Sequence, residues 1–154
     1  MDRYESARSY VYSKFARLYN PSLMEAAFTH TSSVDNFITL LAISRKIPLE
    51  TAKIAALFHD FARFAENCPA RDHARLSSLY AHRYLTDCRN FSTQEIDSIC
   101  YAIADHSKKA EFSQDLLTEA LKDADVLASF AENPETEFDP VRSKRLLAAG
   151  RDLS

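Results

Sequence analysis

Apolar residues recur at helical spacing along nearly the whole chain. Over residues 3 to 19, Tyr4, Ala7, Tyr10, Val11, Phe15 and Leu18 fall near one helical face. Asn20-Pro21 predicts a helix start, with Asn as N-cap and Pro at the first helical position. Residues 31 to 46 carry an i, i+3, i+4, i+7 stripe through Val34, Phe37, Ile38 and Leu41. Pro48 is expected to end that helix and open the next. Residues 49 to 60 (LETAKIAALFHD) are apolar on nearly every side after Lys53, the mark of a buried central helix. Residues 61 to 72, which include Pro69, read as a loop. A helix is expected from about 73 to 86. Ser92-Thr93-Gln94-Glu95 has the form of a capping box and opens a helix through Ile96, Ile99, Ile103 and His106. A further helix covers 113 to 131 and stops before Asn133-Pro134, and Asp139-Pro140 starts a last short one. No repeat or interdomain linker is visible. The expected fold is all-α, one domain over residues 1–154, with about six to eight helices.

Composition narrows the function. A chain of 154 residues, 46% hydrophobic and 27% charged, buries a real core and is not disordered. Its single glycine, Gly150, removes every motif in which glycines let backbone approach a phosphate. P-loop NTPases, dinucleotide-binding folds and kinases are excluded. A net charge of −3 argues against non-specific nucleic-acid binding. Three cysteines with no CxxC spacing (Cys68, Cys88 and Cys100) read as reduced thiols. No leader or membrane-length apolar run is seen, so a cytoplasmic location is expected.

The chemistry lies in histidines and aspartates placed where packing explains them poorly. His59-Asp60 ends the most apolar segment, directly after Ile54-Ala55-Ala56-Leu57-Phe58. An ionised carboxylate there costs several kcal/mol unless it is paired or binds a cation. His30 shares a helical face with Val34, four residues on, and His106 continues the stripe of Ile96, Ile99 and Ile103. Asp125 lies inside an apolar helix, within Lys122-Asp123-Ala124-Asp125-Val126-Leu127. Any one of these alone reads more readily as a satisfied core residue than as a ligand. Together they form a set of imidazoles and carboxylates that suits divalent metals, projected inward from several helices.

The ordered set His…His-Asp…Asp resembles the HD-domain superfamily of metal-dependent phosphohydrolases. The likeness covers about residues 21–131, with 132–154 as a C-terminal extension expected to pack on that core. It rests on His30-Thr31-Ser32-Ser33-Val34, on AALFHDFARF, whose His-Asp doublet falls 29 residues after His30, and on the segment holding Asp125. The resemblance implies a helical bundle with His30, His59, Asp60 and Asp125 as primary metal ligands. Asp123 and Asp125 stand about 200° apart on a helix, so only one can face the site. The resemblance favours Asp125, which leaves Asp123 beside the ligands or on the surface. It also implies a second metal held by His73 and His106, and His82, about 180° from His73, is left as a surface or packing residue.

The chain departs from the family in places. It has His59-Asp60-Phe61-Ala62 where His-Asp-Ile-Gly is frequent. A Gly-Tyr-Pro element cannot exist, which disfavours the cyclic-dinucleotide branch. No Glu-Asp pair follows the doublet, which disfavours the alarmone branch. Ser32 or Ser33 stands where an Arg is common.

The resemblance implies hydrolysis of a nucleotide or other small phosphate ester by a metal-activated water, with Asp60 catalytic. The cofactor is one or two divalent ions, and the ligand set accepts Mn, Fe, Co, Ni, Zn or Mg. Arg63, Lys108 and Lys109 follow the ligands closely and read either as phosphate contacts or as a solvated face. The expected partner is a small phosphorylated substrate, with no membrane, and a homo-oligomer is compatible with the sequence. The same ligand order also resembles HD-fold di-iron oxygenases. A third reading is a domain that binds a nucleotide or a partner and keeps a metal only as a staple. Tyr80, Tyr84 and Tyr101 could then line a base-stacking pocket, or simply pack.

Overall fold

The computed structural model describes residues 2–154. Eight helices follow one another along the described residues: α1 (Asp2–Phe15), α2 (Pro21–Arg45), α3 (Leu49–Phe58), α4 (Phe61–Ala65), α5 (His73–Cys88), α6 (Thr93–Asp105), α7 (Leu116–Glu132) and α8 (Pro140–Asp152). No strand occurs among them. The fold is all-α, as the periodicity requires, and no helix of the described residues is long and apolar enough to cross a membrane.

Local signals set most of the boundaries. Asn20 Oδ1 accepts from the N–H groups of Ser22 and Leu23 at 2.9 and 3.2 Å and starts α2. That helix then runs unbroken for 25 residues, so the start at Asn20 and the stripe after residue 31 belong to one element. It stops at Arg45, before Pro48, because Lys46 turns left-handed with φ 57°. Asn67 and Arg89 also have positive φ, at 48° and 57°. In a chain with one glycine these turns fall to side-chain-bearing residues, at a cost of roughly 1 kcal/mol each. The capping box at Ser92 and Glu95 forms in both directions.

The central helix is α3. Ala52, Ile54, Ala55, Ala56, Leu57 and Phe58 are all buried, and α1, α2, α5, α6 and α7 surround it. Residues 61–65 are helical rather than loop. The five-residue α4 carries no side-chain cap, and the core holds it. Phe61 and Phe64 pack on Phe15 at ring-centroid distances of 6.1 and 5.8 Å, and Ser77 Oγ accepts from the Ala62 N–H at 3.0 Å. Tyr84 and Tyr80 belong to the same aromatic cluster, 4.6 Å from Tyr10 and 5.3 Å from Phe61 respectively, while Tyr101 is exposed.

The C-terminal part is more elaborate than the sequence suggests. The helix expected from 113 begins at Leu116, where Asp115 accepts from the Thr118 N–H at 2.9 Å. The last helix, α8, is 13 residues long and lies against α7 and α2.

Candidate metal centre

Three helices and two turns deliver six side chains to one buried point. His30 comes from the middle of α2, and Asp125 from the middle of α7. His59 and Asp60 occupy the turn between α3 and α4, just beyond the last helical residue Phe58. His73 is the first residue of α5, and His106 caps the C-terminus of α6. Asp60 has φ −113° and ψ 17°, near the sparsely populated bridge region where active-site residues often sit.

Asp60 stands between two pairs of imidazoles. Its Oδ2 lies 3.4 Å from His30 Nε2 and 3.6 Å from His59 Nε2. Its Oδ1 lies 3.1 Å from His73 Nε2 and 3.2 Å from His106 Nε2. Asp125 Oδ1 joins the first pair, 3.1 Å from His30 Nε2 and 3.9 Å from His59 Nε2. Two groupings are compact enough to hold a metal ion: His30, His59 and Asp125, and His59, Asp60 and His106.

The outer nitrogens decide what the inner ones can do. Nδ1 of His59 meets the Ala56 carbonyl at 2.7 Å, and Nδ1 of His106 meets the Ile103 carbonyl at 2.6 Å. His73 Nδ1 meets the Ala70 carbonyl, and His30 Nδ1 meets Glu132 Oε1 at 2.9 Å. Carbonyl and carboxylate oxygens only accept, so each Nδ1 carries the proton and donates it. In the neutral ring every Nε2 then presents a bare lone pair to the interior. His59 and His30 do so at 3.2 Å from each other, and His73 and His106 at 3.3 Å. Lone pairs opposed at that distance beside two carboxylates need a proton or a cation between them. The donor set therefore fits a divalent metal, with Nδ1 partners that fix ring orientation.

Protonation of the metal-free chain follows the same geometry. Burial opposes charge on His30, but hydrogen bonds to Asp125, Asp60 and Glu132 outweigh it and push the ring up to about 12. Burial takes His59 the other way, down to about 4. The hydrogen bond to Asp60 raises His73. Burial alone would raise both aspartates. The imidazoles hold Asp60 well below the carboxylate range, and Lys109 and His30 do so for Asp125. The linkage has a clear sign. Below the ordinary imidazole value of 6.5, the unfolded chain takes up a proton that buried His59 refuses until about 4, so stability falls with falling pH. Above 6.5 the unfolded chain loses protons that His30 and His73 keep, so stability falls with rising pH. Chelator-treated protein should therefore melt highest near pH 6.5. A melting temperature that climbs steadily from pH 6 to 9 would show these protonation states to be wrong.

The remaining residues that the sequence points to divide cleanly. Arg63 is exposed, and its guanidinium lies 3.2 Å from Asp60 Oδ2. Lys109 is buried, and its ammonium donates to Asp125 Oδ2 at 2.7 Å and to the His106 carbonyl at 2.6 Å. Lys109 is therefore not part of a solvated face. Lys108 is: it is exposed, pairs with Asp105 at 3.3 Å and does not line the cavity above the cluster. His82 is exposed and away from the cluster. Asp123 is buried, not on the surface, in ion pairs with Arg45 at 2.8 Å and Arg145 at 3.0 Å. Glu132, the partner of His30 at 2.9 Å, is a candidate site residue that motif and stripe do not single out. It lies seven residues after Asp125, two helical turns along the same face, and that spacing is the available signal. A cavity of about 220 Å³ opens over the cluster, lined also by Ser107, Phe138 and Arg142.

An all-helical chain that gathers histidines and aspartates in this way has an interhelical cluster that could hold a metal ion. An HD domain profile matches residues 27–129, and the chain belongs to that family. Among solved structures, it is similar to a predicted HD superfamily hydrolase from an uncultured Thermotogales bacterium, at 24% identity and a TM-score of 0.65. That likeness covers 96% of this chain and 84% of the other, and it shows a shared fold. No curated protein matches the sequence.

Proposed function

We propose that this protein is a metal-dependent phosphohydrolase acting on a nucleotide or another small phosphate ester. The observation that carries the reading is Asp60, with one oxygen facing His30 and His59 and the other facing His73 and His106. His30, His59, Asp60 and Asp125 would hold one divalent ion, and His73 and His106 with the far oxygen of Asp60 a second. Such ions lower the pKa of water towards neutrality and offset charge developing on phosphoryl oxygens.

The chain's own groups supply the rest. Asp60, with one oxygen on each side, joins the two half-sites and would orient an attacking water there. Arg63 stands at the cavity mouth, where its free guanidinium edge can take a phosphoryl oxygen in a charge-assisted bond. Lys109 holds Asp125 and the end of α6 and so positions two ligands, with one N–H left for substrate. The cavity of about 220 Å³ leaves room beside the ligands, which a closed structural metal site does not.

The test is metal analysis of the purified protein with a panel of phosphate monoesters, diesters and nucleotides, run with each of Mn, Fe, Co, Ni, Zn and Mg. One or two metals per chain with hydrolysis is the expected result. Iron with oxygen uptake and no hydrolysis would move the centre to the oxygenase class, which the two-part ligand set also suits. Absence of metal after every addition would leave the histidines as core residues. Replacing Glu132 by Gln removes the charged acceptor behind His30 and should weaken Mn affinity about 10- to 100-fold in competition with a chelating dye. Unchanged affinity would make Glu132 a surface residue only.

A further inference from the structure

A second cavity, of about 410 Å³, opens beside the metal centre and shares His30, Arg63 and Ser129 with it. Ser22, Glu25 and Thr29 from α2 form one wall, with Phe64 and Glu132 opposite. Its polar lining holds two carboxylates, Glu25 and Glu132, which only accept, and three hydroxyls, Ser22, Thr29 and Ser129, which both donate and accept. With His30 neutral as a metal ligand, Arg63 is the one cation among these described residues, and it stands at the boundary, bonded to Asp60. The start of α2 would ordinarily offer amides to an anion. Here the Ser22 and Leu23 N–H groups are already given to Asn20 Oδ1. The other cations, Lys109 and Arg142, line only the metal side. The paired cavities are thus cationic where a phosphate would react and anionic where the alcohol part of an ester would lie.

We infer that the site takes the phosphate monoester of a polyhydroxylated alcohol of about sugar size, carrying a single phosphate. This rests on the hydrolase reading above. Vicinal hydroxyls can donate to Glu25 and Glu132 and exchange hydrogen bonds with Ser22 and Thr29. A second phosphate on the alcohol part would face both carboxylates with no free cation to meet it, which acts against polyphosphates. The volume lies within the range of small-molecule pockets, roughly 300–1,000 Å³.

Binding and turnover test the two readings separately. Fructose 6-phosphate, fructose 1,6-bisphosphate and phenyl phosphate would be titrated calorimetrically into Mn-loaded protein. The first should bind about tenfold tighter than either of the others, the scale of one charge-assisted hydrogen bond. Glu25 is exposed and has no ion-pair partner among the described residues, so its variants should fold. Glu25→Gln should narrow the gap to phenyl phosphate, and Glu25→Lys should shift the monophosphate-to-bisphosphate preference about tenfold towards the bisphosphate. Equal or tighter binding of the bisphosphate by the unmodified protein, or a preference that Glu25→Lys does not move, overturns the inference. Binding with the expected preference but no hydrolysis of any ester overturns the hydrolase reading and leaves the subsite standing.

Discussion

Replacing Asp60 by Ala should abolish hydrolysis, by on the order of 10³-fold or more, and remove metal from the protein. The side chain is buried and both of its oxygens are in use, so no neighbour can substitute for it. Asp125 reaches only the His30 and His59 side, and the Glu132 carboxylate lies behind His30 on Nδ1. The Ala variant therefore strips the second half-site of its only carboxylate and the first of one of two. Asp60→Asn separates geometry from charge. It keeps one carbonyl oxygen but turns an amide N–H₂ towards one imidazole pair, whose Nε2 atoms then accept from it. One half-site should survive at reduced affinity, with metal content nearer one ion per chain and activity still far below the parent. Metal stoichiometry measured beside the kinetics decides the matter. If Asp60→Ala keeps the full metal content, Asp60 is not a ligand and the assignment of the centre fails, whatever happens to the rate.

Much of this centre is legible in the sequence. His59 and Asp60 stand out because charge at the end of LETAKIAALF has no cheap structural reason to be there. His30 and His106 stand out because polar rings fall on apolar stripes. What a one-dimensional pattern does not contain is which atoms oppose one another. Asp123 and Asp125 are indistinguishable by periodicity, and the structure separates them completely. One meets two arginines and the other meets His30. Lys108 and Lys109 are adjacent in sequence, yet one is exposed and the other buried, because the turn after α6 swings successive side chains to opposite sides. The short α4 has no sequence signal because its stability is tertiary. Five residues cannot sustain a helix alone, and Phe61 and Phe64 are fixed by rings far away in sequence. The Nδ1 partners of His59, His106 and His73 are carbonyls three residues back, which are free to accept only because each histidine sits at a helix end or the turn before one.

Arg145→Ala should destabilise the fold by about 3–5 kcal/mol, the usual result of removing one partner from a buried ionic network. For a chain of this size that corresponds to a fall in melting temperature of roughly 10 °C. Arg145 is 3% exposed and lies on α8, outside the matched family region. Its guanidinium donates to Glu119 at 2.5 Å, to Asp123 at 3.0 Å, and to the carbonyls of Lys109 and Glu111 at 2.7 and 2.8 Å. It also lies 4.4 Å over the Phe112 ring. Without it, Asp123 retains Arg45, Glu119 retains Lys122 at 3.8 Å and the Glu111 carbonyl retains the Lys122 ammonium at 2.9 Å, but the Lys109 carbonyl loses its donor and the loop between α6 and α7 loses its anchor. That loop presents Lys109 to Asp125, so the damage should reach the metal centre. Arg145→Lys keeps the charge but is a single point donor against four acceptors, and it should recover only part of the stability. Mn affinity should fall in step, more in Ala than in Lys. A loss below about 1 kcal/mol in Arg145→Ala would mean that the network contributes no more than a surface pair. A full loss of stability with Mn affinity untouched would mean that Lys109 holds Asp125 without help from α8.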